Sequence, residues 1–129
     1  MMNTAPAAPA LTEKFADVAA YQLRMTERRV TEGTANAAQR TAADAAKWTM
    51  RDLVKAEAEL HLYTEAANTD RGEARFVYHA AHYLAESGRS TDAFANAAAE
   101  AQREGALDAL RTLRSFMTRE SLLELVTSL

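Results

Sequence analysis

A chain of 129 residues is long enough to bury one core without covalent staples and short for two. Its hydrophobic fraction of 48% is rich in alanine, which adds helix propensity more than buried area, so the expected core is thin. Zero cysteines remove disulfides, thiol nucleophiles and cysteine-ligated metal centres, and a formal charge of −3 disfavours general attraction to a nucleic-acid backbone.

Residues 1–10 hold both prolines among several alanines and read as a disordered tail ahead of a single helical domain over 11–129. This end lacks the basic and apolar regions of a secretory signal, and no stretch approaches the ~18 apolar residues of a membrane span, so the expected location is cytoplasmic. From Leu11, the residues Phe15, Val18 and Met25 recur at helical multiples, with Tyr21 beside them, and Gly33 with Thr34 marks a break.

The next segment, 34–68, has no proline or glycine, and at 1.5 Å per residue it predicts one long central helix of about 50 Å. Ala35, Ala38, Ala42, Ala45, Leu53, Ala56, Leu60, Tyr63 and Ala67 form its main stripe. Trp48 and Leu62 fall on the opposite side, and a helix apolar on two faces is either central in a bundle or shared with a second chain.

A turn at "NTDRGEARF" follows, where Asp70 and Glu73 have the spacing of a capping box. Val77, Ala81 and Leu84 carry the next helix, which Gly88 ends, and Ser90 or Thr91 caps another through Phe94, Ala97, Ala98 and Ala101 to about Arg103. Gly105 interrupts; Leu107, Leu110, Leu113 and Met117 continue, and Thr118 caps a last helix bearing Leu122, Leu123, Leu125, Val126 and Leu129. With no period-two alternation, the fold class is an all-α bundle of about five or six helices.

All three histidines lie between His61 and His82. Glu57 and Glu65 flank His61 at four residues, and folding the chain back over the turn sets His61 opposite His79 and Glu65 opposite Arg75. Glu57, His61, His79 and His82 are therefore the candidate ligands of a divalent metal. Helical phase speaks against them: at 100° per residue His79 and His82 fall on the far side from Val77 and Leu84, and the Glu-x-x-His pairing of di-metal bundles is missing. Surface histidines are the first reading and a metal centre the second.

Leu84, Gly88 and Phe94 can be laid on a helix-turn-helix, but the recognition helix of that DNA-binding motif, Thr91 to Ala101, carries Asp92 and Glu100 and no cation. Ala81, Leu84, Gly88 and Ala93 resemble one helical hairpin of a tetratricopeptide repeat. The resemblance covers about a quarter of the chain, lacks the aromatic signature and has no second copy at the repeat's 34-residue period, so it implies a hairpin alone. The arginines at 24, 28 and 29 and at 111, 114 and 119 are interleaved with acids, and Ser115, Thr118 and Ser121 have no histidine or paired base nearby in the sequence.

The sequence thus points to a non-catalytic interaction or assembly protein that offers apolar helix faces to a second copy or a larger partner, with Trp48, Leu62, Leu122, Leu125, Val126 and Leu129 as interface candidates. No organic cofactor is expected. A metal-binding bundle is the first alternative and a small DNA-binding regulator the second.

Overall fold

The computed structural model describes residues 14–34, 50–86 and 91–128, and among these every regular element is helical. The described residues form five α-helices: α1 (Phe15–Thr34), α2 (Met50–Ala66), α3 (Gly72–Glu86), α4 (Ala93–Leu113) and α5 (Arg119–Thr127), with a 3-10 turn over Arg114–Phe116 before α5. The expected all-helical bundle is the observed one. The tail at 1–10, the segment 35–49 with Trp48, the Gly88 helix end and Leu129 lie outside the described residues.

α2 is the central element, packed against α1, α3 and α4, while α5 rests on α3. That position explains its two apolar faces. Ala56, Ala58, Leu62, Tyr63 and Ala66 are all buried, and Leu62 is 0% exposed, so this residue serves the protomer's own core and is unavailable to a second chain. Leu53, expected in the stripe, sits at the surface instead, because the side of α2 that meets its neighbours is centred on Ala58, Leu62 and Ala66.

α1 lays Val18, Ala19 and Thr26 against the bundle, and Phe15 meets Phe76 edge-on with ring centroids 5.7 Å apart. The helix runs through Gly33 to Thr34, so the break expected at that glycine does not stop it there. α5 turns Leu125 fully inward and Leu122 partly so, leaving Leu123 and Val126 exposed. Leu122 and Leu125 therefore close the core, a short amphipathic helix having one face to bury, whereas Val126 remains at the surface.

Two glycines sit where backbones approach closely. At Gly105 an added Cβ would lie 2.4 Å from the Lys55 carbonyl oxygen and 3.1 Å from Ala58 Cβ, so α4 passes unbroken through this residue and uses it to press against α2. The expected interruption at Gly105 is thus an intact helix, because the missing side chain supplies room for a neighbour rather than a bend. The same crossing is flanked by ion pairs: Lys55 with Asp108 at 2.7 Å, and Arg51 with Glu104. At Gly72 a Cβ would lie 2.5 Å from the Ala66 carbonyl oxygen, which lets α3 start directly over the end of α2.

The turn between α2 and α3 is held by Asn68, whose side-chain oxygen accepts from the Asp70 backbone N–H at 2.8 Å. Arg71 takes a left-handed φ of 60° and its carbonyl accepts the first α3 bond from Arg75 N–H. Glu73 does not close a capping box with Asp70. Its carboxylate reaches across the bundle and accepts from the Thr118 backbone N–H at 2.6 Å, supporting the start of α5, where the Thr118 hydroxyl accepts from Ser121 N–H as expected. α4 is capped by Asp92, one residue after the expected Thr91 and two after Ser90.

Candidate functional site

Because the turn at 67–71 is tight, the second half of α2 and the first half of α3 run side by side, and their outer edges bring His61 and Glu65 against His79. The His61 and His79 rings lie 4.6 Å apart between centroids at 62°, and His79 Nε2 is 3.8 Å from a Glu65 oxygen. One ligand atom from each of His61, Glu65 and His79 falls within 4.8 Å of the other two. All three residues are half-buried.

The surroundings fix these groups. Tyr83, one turn further along α3, hydrogen-bonds His61 Nδ1 through its hydroxyl at 2.6 Å, which leaves Nε2 as the free ring nitrogen. The Glu65 carboxylate is divided: one oxygen faces His79 and the other lies 3.7 Å from the Arg75 guanidinium, which also donates to the Asp70 carbonyl. Tyr78 packs edge-on against His79, with centroids 5.0 Å apart. Burial, with the nearby His61, holds the His79 imidazole below the usual histidine range despite the opposing pull of Glu65, so the ring is neutral at pH 7. Burial also pushes the Tyr83 phenol up, helped by the Glu57 charge.

Of the four ligands chosen from the sequence, His61 and His79 converge, whereas His82 and Glu57 are exposed and stand outside the cluster. The phase argument holds for His82 and is too coarse for His79, which sits on the flank of α3 beside α2. Glu65 belongs to the group and was passed over in favour of Glu57, although both lie four residues from His61. Since α3 leaves the turn just beyond Ala66, the carboxylate on the turn side of His61 is the one that faces it.

A second feature is apolar. Met50 and Val54 of α2 and Phe94, Ala97, Ala98 and Ala101 of α4 line an open groove of ≈ 550 Å³ with Arg51 and Glu100 also at its wall. Phe94 is 73% exposed and Met50 66%. The first turn of α4, which carries Phe94, extends past the buried interface of that helix, which begins at Ala101. A third feature, Glu59, is a buried carboxylate held by Arg29 at 3.2 Å across α1 and α2. Burial raises its pKa above the usual carboxylate range against the pull of Arg29 and Lys55.

No described helix is long and apolar enough to cross a membrane. Comparison with protein families, with curated proteins and with solved structures finds no match to this chain.

Proposed function

We propose that this protein is a non-catalytic assembly protein that associates through the α2–α4 groove, and that the occupant of the groove is the corresponding face of a second copy. The observation that carries the reading is Phe94, a large apolar side chain left mostly exposed at the edge of a groove lined by methionine, valine and alanine. The lining residues of α4 lie at i, i+3, i+4 and i+7, the spacing at which one helix receives the ridges of another. The wall also carries both charge signs, Arg51, already paired with Glu104 in its own protomer, and Glu100, a mixed rim that suits a self-complementary two-fold contact.

The test is sedimentation equilibrium of the full chain over about 1–200 µM, beside Phe94→Asp. Self-association that weakens at least about tenfold in the variant, the scale of a lost apolar anchor, agrees with the proposal. A mass that stays monomeric across the whole range contradicts it, as does association that Phe94→Asp leaves intact. Phe94 is exposed, so its replacement leaves the protomer's core in place.

A further inference from the structure

We infer that His61, Glu65 and His79 form a binding site for one divalent transition-metal ion of the zinc class, with Tyr83 orienting His61 from behind. The inference is independent of the groove. Two imidazoles and one carboxylate are a recognised donor set for tetrahedral zinc with one position left to solvent or a further ligand, and the borderline nitrogen donors select such ions over calcium or magnesium.

The geometry needs little adjustment. Metal-to-ligand distances near 2.1 Å in a tetrahedral shell place donor atoms roughly 3.4 Å apart. The His79 and Glu65 atoms already stand at 3.8 Å, and the whole set lies within 4.8 Å. His61 and Glu65 share one face of α2 at i, i+4, so the helix itself holds their separation, and His79 closes the triangle from α3. The closure still needed, from at most 4.8 Å to about 3.4 Å, is on the scale of side-chain rotation.

The hydrogen bond at 2.6 Å between Tyr83 and His61 Nδ1 supplies the support that metal-ligating histidines generally have. With Nδ1–H donating to the phenolic oxygen, His61 presents Nε2 to the ion. Arg75 touches the oxygen of Glu65 that faces away from His79, so the other oxygen is left for the metal. Beside His79 a shallow depression of ≈ 230 Å³, lined also by Arg71, Ala74, Arg75 and Tyr78, gives solvent a way in.

The experiment titrates tag-free full-length protein with Co²⁺, whose visible absorption reports low coordination number, and then displaces it with Zn²⁺. Expected are one equivalent per chain, loss of at least tenfold in affinity in His79→Gln and Glu65→Gln, about tenfold in Tyr83→Phe, and no change in His82→Gln. Imidazole NMR of the unaltered protein gives a readout that depends on no variant: Zn²⁺ shifts the His61 and His79 ring signals and leaves His82 in place. Absence of saturable binding at 100 µM metal, equal binding by His79→Gln, or ring shifts confined to His82 overturns the inference.

Discussion

Gly105→Ala isolates the contact on which the α2–α4 packing depends. In an isolated helix the substitution is favourable by about 1 kcal/mol, because alanine forfeits less backbone entropy than glycine. In this bundle the new methyl would stand 2.4 Å from the Lys55 carbonyl oxygen and 3.1 Å from Ala58 Cβ. Neither is the tip of a flexible side chain. Restoring an ordinary contact near 3.4 Å requires the helices to part by about 1 Å, which loosens the buried alanines at 58, 101, 106 and 109 and the flanking Lys55–Asp108 pair. Overpacking of a close-packed interface costs about 1–3 kcal/mol, and a backbone obstacle puts this case at the upper end. After the helix gain of about 1 kcal/mol, the net loss is about 2 kcal/mol. With a urea slope near 1.5 kcal/mol per molar, the midpoint falls by roughly 1.3 M. Urea denaturation followed by circular dichroism measures it. A variant as stable as the parent, or more stable, would refute the reasoning and would mean that Gly105 marks a weak point of α4 rather than a contact.

Three further predictions concern charges and caps. Arg29→Ala strands the buried Glu59 carboxylate and lowers stability at pH 7 by about 1–2 kcal/mol, less than a fully buried pair because Arg29 is half-exposed. Glu59→Gln in the same chain restores most of that loss, since the folded state already resists ionising Glu59 and the raised pKa means stability is surrendered as pH climbs above the ordinary carboxylate range; chemical denaturation of the two variants checks this, and a double variant no better than Arg29→Ala counts against it. Glu73→Ala removes the acceptor for Thr118 N–H and destabilises α5 by about 1 kcal/mol, raising hydrogen exchange of the Leu125 amide by about fivefold while the amides of α2 stay protected. Because the folded protein lowers the His79 pKa, the unfolded chain takes up the proton first as pH falls, so stability is full above about pH 6.5 and declines below it. The facing groups, His61 and Glu65 on α2 and Arg75 and His82 on α3, are unchanged in His79→Gln, which therefore loses less stability than the parent between pH 7.5 and 5.5; equal losses in the two proteins would remove His79 as the cause.

The helical class, the order of the elements and the centrality of α2 are legible in apolar spacing alone, since a 3.6-residue period needs no knowledge of neighbours. What spacing leaves ambiguous is which neighbour a face meets. Helical spacing sets Leu62 apart from the main stripe, yet Leu62 is buried by the chain's own helices, and only the packing of α1, α3 and α4 around α2 decides that. Gly105 is ambiguous in the same way: a glycine within a helical pattern reads as a stop or as a place of close approach, and the distinction lies in a carbonyl fifty residues earlier, at Lys55. Glu73 stands at the correct spacing for a local cap and is drawn instead to Thr118, a partner 45 residues on. At the histidine cluster the pairing across the turn could be drawn from the sequence. The same pairing sets Glu65, on the turn side of His61, against α3, so the glutamate that completes the cluster was also within reach of the sequence, and Glu57 was the wrong choice.

The central claim, that the α2–α4 groove receives a second copy of the chain, is tested most directly by a photo-crosslinking amino acid in place of Phe94 in the full-length protein. On illumination the account predicts a covalent dimer whose crosslinked peptides place position 94 against the Met50–Val54 turn or the Phe94–Ala101 stretch of the other chain. Crosslinks formed solely within one chain, at protein concentrations where the groove should be filled, would contradict it.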